Sequence, residues 1–255
     1  SKDEIHIIEP SVGAGGFLPF LFKKYEDVPR VILDVVDIDA ESIAALKAIL
    51  SNIRIPSNFE IHYITHDFLT IDFPYHFDLA VGNPPFSKLK GDRNSIAPII
   101  MQNANQHTLN LSELFLEKCI RCSDCIALVL NKTILSTDEF EETRQLLRRM
   151  KIESIIDFGR NGFTGVSIET MCMVVYPNQK PANTFIINMK YNTRTVKAQK
   201  YITDERFPYF IVYRDDAFDA VVDKLTFGVF DVFRDRQITK ANTVESPEND
   251  SLWVI

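Results

Sequence analysis

A chain of 255 residues that is 45% hydrophobic is long enough for one large α/β core with a small appendage, and it holds no apolar stretch of the roughly 20 residues a membrane span needs. A formal charge of −7 argues against a broad nucleic-acid footprint, which requires clustered Lys and Arg, although net charge does not decide what one cleft binds. No signal-peptide pattern opens the sequence, so the cytoplasm is the expected compartment.

Taken in chain order, the apolar runs alternate between strand and helix periods. Strands are expected at Ile5–Glu9, Val31–Asp37, Phe59–Thr65, Phe77–Gly82, Cys125–Leu130, Ile152–Phe158 and Ile168–Tyr176, with helices at Gly16–Lys24, Ala40–Ser51, Leu111–Cys122 and Thr137–Met150. Ser136-Thr137-Asp138-Glu139 reads as the cap of the last helix. Strand, helix, strand in succession predicts parallel strands with right-handed crossovers, hence a doubly wound α/β sheet. Between Ser87 and Thr108 the periodicity stops, and a long loop with a short apolar patch (Ile96 to Met101) is expected to act as a lid or contact substrate. Beyond Pro181, Thr184–Met189, Thr195–Ile202 and Tyr209–Tyr213 alternate like strands, and Asp215 to Leu225 reads as helix. Residues 1–180 are therefore expected to form the main domain and 181–255 a small β-rich extension. Both ends of the chain look cut, with strand-like Leu252–Ile255 at the last of it, so a fragment of a larger protein is expected.

The chemistry clusters at the expected strand ends. The first turn, Glu9-Pro10-Ser11-Val12-Gly13-Ala14-Gly15-Gly16-Phe17, has glycines that let backbone approach a ligand, but not the GxGxxG spacing of a dinucleotide site. An acid beside it repels phosphate and suits an ammonium, which points to a cofactor bearing an amino acid. Asp37, at the tip of the second strand, is placed to accept ribose hydroxyls, while Asp39 suits a helix cap. Asp67 and Phe68, at the third, can bond an adenine amino group and pack on its ring; each acid alone also fits a cap or loop role.

The fourth tip reads Asn83-Pro84-Pro85-Phe86. Two prolines fix φ, remove two backbone donors and point carbonyls outward. Beside an amide and an aromatic face, they form a loop suited to accept both hydrogens of an exocyclic amino group while a planar ring stacks on Phe86. Lys88, Lys90 and Arg93 follow it, whereas Arg144, Arg148, Arg149 and Lys151 read as a solvated helix end. Cys119, Cys122 and Cys125 have CxxCxxC spacing, but they fall in helix and strand patterns and read as core thiols; the five histidines are scattered, so no metal is expected.

The ordered set Glu-Pro-x-x-Gly-x-Gly-Gly-Phe, Val-Asp-Ile-Asp, His-Asp-Phe-Leu and Asn-Pro-Pro-Phe resembles the S-adenosylmethionine-dependent DNA adenine-N6 methyltransferases of restriction-modification systems, over about residues 5 to 176. The resemblance implies a Rossmann-like methyltransferase sheet, mostly parallel, with Ile168–Tyr176 as its antiparallel last strand. It implies that Glu9, Pro10, Gly13 and Gly15 hold the methionine part of the cofactor, Asp37 and Ile38 the ribose side, and Asp67 with Phe68 the adenine. It further implies that Asn83, Pro84, Pro85 and Phe86 grip and stack a flipped-out adenine of double-stranded DNA, with Phe163, Lys88 and Lys90 on the substrate side. A restriction endonuclease or a specificity subunit or domain is the implied partner. The family also has a cofactor-contacting helix before the first strand and a recognition domain after the catalytic part, neither of which is in this chain, so weak cofactor binding and no independent sequence specificity are expected. Methyltransferases of ribosomal RNA bases or of glutamine in protein factors share the tetrapeptide. A non-catalytic nucleic-acid-binding subunit with this fold is the other class; intact acids at three strand ends argue against it. A nicotinamide-dependent dehydrogenase fails on glycine spacing.

Overall fold

The computed structural model describes residues 2–90, 97–159 and 168–229. Phe163, Arg93 and Leu252–Ile255 lie outside them. Ile7 and Ile8 in β1 (Glu4–Glu9) and Val31, Leu33, Val35 and Val36 in β2 (Arg30–Asp37) are fully buried. Strands apolar on both faces must be covered on both faces, which is the condition of a parallel sheet flanked by helices.

The remaining strands are β3 (Phe59–Thr65), β4 (Leu79–Gly82), β5 (Ile126–Asn131), β6 (Lys151–Gly159), β7 (Thr170–Tyr176), β8 (Asn183–Asn188) and β9 (Thr193–Ala198), in the order β3-β2-β1-β4-β5-β7-β6-β8-β9. Neighbours pair parallel except β5 with β7, β7 with β6, and β8 with β9. The expected antiparallel strand is thus β7, inserted between β5 and β6. Ile7 belongs to a core with α1 (Leu18–Lys24) and α2 (Ala40–Leu50). Ile8 belongs to another, with α4 (Leu111–Cys122) and α5 (Glu141–Leu147), so helices cover opposite faces. Because β1, β2, β3 and β4 run the same way, Glu9, Asp37, Thr65 and Gly82 end at one edge. Chain order reverses between β1 and β4, which is where open α/β sheets bind ligands.

Some expectations need correction. The strands beyond Pro181 continue this sheet: β8 pairs with β6 from Ser154↔Phe185 to Asp157↔Asn188 and covers its edge. A first compact unit runs to Arg214, and a second, from Asp215, contains α7 (Asp216–Val222), capped by the Asp215 carboxylate on Phe218 N–H at 2.8 Å. Thr195–Ile202 ends not as strand but as a helical turn, α6 (Gln199–Ile202). Tyr209–Tyr213 joins no ladder, although Phe210 and Val212 are buried. The Pro208 carbonyl instead accepts from Arg144 Nε at 2.8 Å.

Thr137–Met150 is likewise broken into a 3₁₀ turn (Asp138–Phe140) and α5, and Thr137 makes no side-chain cap. Arg144 is not a solvated helix residue. It is 1% exposed and also donates to the carbonyls of Ile134 and Thr137, main-chain oxygens just ahead of the broken helix. Arg148 does the same for Phe207 at 2.6 Å. Within the irregular stretch after Ser87, Ala97–Gln102 forms α3. No helix among the described residues is long and apolar enough to cross a membrane.

Candidate active site

The first turn is built by two glycines in the left-handed region, Gly13 at φ +50° and Gly15 at φ +75°. At Gly15 a side chain is also excluded by space, since a Cβ would lie 2.6 Å from a Leu46 methyl. Asp37 fastens this turn to β2: one carboxylate oxygen accepts Gly13 N–H at 2.9 Å and the other Asp39 N–H at 3.0 Å. Both oxygens keep a lone pair for further donors. Asp39 caps α2 through Glu41 and Ser42 N–H, as expected. Ile38, beside Asp37, is 72% exposed at the same edge.

Glu9 ends β1 with 1% exposure, and its Oε2 has no hydrogen-bond partner. Burial pushes its carboxyl up to about 8, because nothing nearby compensates the ion. Asn83 is half-buried, and its Oδ1 is likewise buried without a partner. The Asn83 tip faces the glycine turn directly. The Asn83 carbonyl accepts from Ser11 Oγ at 3.2 Å, and a Cβ on Gly82 would lie 3.2 Å from Pro10 Cδ. Pro84 is buried, Pro85 exposed and Phe86 half-buried. The loop's exit is tied to the start of α4 by Leu89 N–H on Leu109 O at 2.8 Å and Leu111 N–H on Ser87 O at 3.0 Å. Lys88 lies 3.6 Å from Glu139, and Lys90 is exposed.

Asp67 caps the 3₁₀ turn Phe68–Thr70 by accepting Leu69 N–H at 3.0 Å. Phe68 departs from the sequence reading. Its ring is 2% exposed, 5.0 Å from the Phe115 ring, with the Lys118 ammonium 4.8 Å above it. Lys118 also donates to the carbonyls of Phe68, Leu69 and Ile71. Phe68 is therefore a core residue that anchors the turn, whereas Ile38 is an exposed apolar side chain at this edge. Among the described residues no group of three or more His, Cys, Asp or Glu is arranged to hold a metal, and burial pushes the Cys119 and Cys172 thiols up.

A second recess, about 730 Å³, was not foreseen; it lies at the ends of β5, β6 and β8, where Lys132, Asp157, Asn188 and Tyr213 converge. Asp157 accepts from Lys132 at 2.8 Å, Tyr213 at 2.5 Å and Gly159 N–H at 2.9 Å, which together outweigh its burial and keep its carboxyl low. The signal was an acid inside the apolar strand Ile155-Ile-Asp157-Phe, uninterpretable without the Tyr213 that comes from far along the chain.

The profile of the Eco57I restriction-modification methylases matches residues 34–163, just over half of the chain. A curated relative, the type II methyltransferase M.CvrRI of Paramecium bursaria Chlorella virus XZ-6E, is 27% identical over 172 residues, covering 67% of this chain. The chain spans 42% of that relative's length. Among solved structures, a type I restriction-modification methyltransferase subunit of Streptococcus thermophilus superposes with a TM-score of 0.59 at 19% identity, over 88% of this chain and 48% of that one. A Listeria monocytogenes protein described as a class I S-adenosylmethionine-dependent methyltransferase gives 0.60 at 15% identity, over 74% and 59%. At such identities these two likenesses speak for the fold.

Proposed function

The chain belongs to the Eco57I restriction-modification methylase family, and from that premise we propose that it is the catalytic part of an S-adenosylmethionine-dependent DNA methyltransferase acting on the N6 amino group of adenine. One observation carries the reading: Asn83 Oδ1 is a buried acceptor without a donor, beside the glycine turn at the strand-order reversal. A buried polar atom without a partner costs stability of about 1–3 kcal/mol and is expected where a ligand supplies the missing bond. The Glu9 oxygen is its counterpart on the cofactor side, suited to an ammonium, and Asp37 retains lone pairs for ribose hydroxyls.

S-adenosylmethionine, when bound, supplies a methyl group on a positively charged sulfur. The work of the protein lies in the amine, whose nitrogen lone pair is delocalised into the purine. Asn83 Oδ1 and the Pro84 carbonyl accept its two hydrogens, localise the lone pair and stabilise positive charge developing on nitrogen. Holding the reacting atoms in line removes a further part of the barrier. The target nitrogen is inaccessible in a stacked duplex, so the base is extruded, at a few kcal/mol, and Phe86 offsets part of this by stacking, worth about 1–3 kcal/mol. The family match supports a restriction-modification setting, in which a nuclease or specificity component would be the partner. Incubation with methyl-labelled S-adenosylmethionine and DNA, RNA or a protein factor tests the proposal. Label is expected in DNA; label in RNA or protein alone overturns it.

A further inference from the structure

The formal charge of −7 is not evenly spread. Between Glu169 and Asp204 the chain carries Lys180, Lys190, Arg194, Lys197 and Lys200 and not one Asp or Glu. The flanking acids are occupied, Glu169 by Lys132 and Asp204 by Arg206 and Arg214. None of the five cations forms an ion pair with a described residue.

Four of these cations lie on the β8–β9 hairpin and α6, with β9 the outermost strand, while Lys180 precedes β8; Lys197, opposite Thr184, and Lys200 after it lie at the end away from the turn. β8 runs parallel to β6, so the hairpin turn emerges at the edge where the Asn83 loop emerges. Lys190 lies in that turn, and Arg194 sits opposite Ile187 just below it. Tyr191 is 66% exposed with the Lys190 ammonium 4.9 Å from its ring, and both residues line the 730 Å³ recess beside Asp157. Lysines on an edge strand also guard against pairing with another chain. That role needs neither the exclusion of every acid nor an exposed aromatic at the tip. Unpaired cations with an aromatic between them match a nucleic-acid backbone and its bases.

We propose that the tip of the β8–β9 hairpin is a DNA contact flanking the methylation crevice, with Lys190 and Arg194 on phosphates and Tyr191 against a sugar or base. This rests on the DNA reading above. The test is fluorescence anisotropy of the full chain with a labelled DNA duplex across a salt series. Lys190→Ala/Arg194→Ala should weaken binding by on the order of tenfold per contact at about 0.1 M salt, and lower the slope of log K against log salt by about 2. Melting temperature and the heat of S-adenosylmethionine binding should not change, and Lys23→Ala/Lys24→Ala on α1 should leave the slope intact. An unchanged slope in the hairpin variant, or an equal loss in the α1 variant, overturns the assignment. So does a hairpin variant that self-associates while binding DNA normally, or one that loses affinity only for phosphatidylserine vesicles. Duplex binding that depends on the hairpin in a protein transferring no methyl to DNA upholds the hairpin and sinks the catalytic reading instead.

Discussion

Replacing Glu9 by Gln removes the one buried ionisable group at the end of β1 while preserving its size. In the free protein the carboxyl titrates near 8, raised by burial from 4.5, so at pH 7 only about a tenth of molecules carry the charge. A cationic methionine head prefers the charged form, and its binding should expel the proton. At pH 7 that adds about 1.4 kcal/mol to the cost of binding, one factor of ten in affinity. Affinity should therefore rise close to tenfold from pH 6 to 7 and about fivefold from pH 7 to 8. Calorimetry with S-adenosylmethionine in buffers of different ionisation enthalpy at pH 7 should report close to one proton released per site, and Glu9→Gln none. The folding linkage has the opposite sign. Between pH 4.5 and about 8 the native state holds a proton that the unfolded chain has lost, so stability falls as pH rises through that window, and Glu9→Gln should flatten the fall. No proton release from the wild type, or equal release from the variant, would refute the reasoning.

Gly15→Ala should destabilise by about 1–3 kcal/mol in denaturant titration, since φ is +75° and the new Cβ meets Leu46; a neutral result would show the turn is looser than described. Glu113 and Glu117 form a buried pair in which burial, with Glu117 alongside, pushes the Glu113 carboxyl well up, while Glu117 accepts Ala104 N–H at 2.6 Å and Asn105 N–H at 3.2 Å. Glu113→Gln should thus be tolerated and Glu117→Gln cost about 1–3 kcal/mol, because its amide must face main-chain donors; equal effects on the melting curve would contradict this. Arg144→Ala should cost about 3 kcal/mol in chemical unfolding, by stranding the carbonyls of Ile134 and Pro208 and leaving that of Thr137 only Phe140 N–H, whereas a loss under 1 kcal/mol would assign it a surface role after all.

The strand-end chemistry was legible because a parallel sheet sends every strand's carboxyl end to one edge. Glu9, Asp37, Asp67 and Asn83 could be placed there from periodicity alone. Which way a side chain turns after leaving a strand was not legible. Asp67 and Phe68 are adjacent, yet the 3₁₀ turn directs Phe68 to Phe115, because α4 offers an apolar face and Lys118 caps the turn. Arg144 looked solvated because its sequence neighbours are charged; its partners come from residues 134, 137 and 208. The Asp157 recess was hidden for the same reason, since Tyr213 meets it only after the chain has passed through β8 and β9.

Whether Asn83 and Pro84 grip a nucleobase amine is read by digesting methylated DNA to its nucleosides. The wild type should yield N6-methyldeoxyadenosine, and Asn83→Ala should lose roughly two to three orders of magnitude in rate while binding S-adenosylmethionine with unchanged heat. A variant that turns over like the wild type, or a methyl found on a ring carbon, would contradict it.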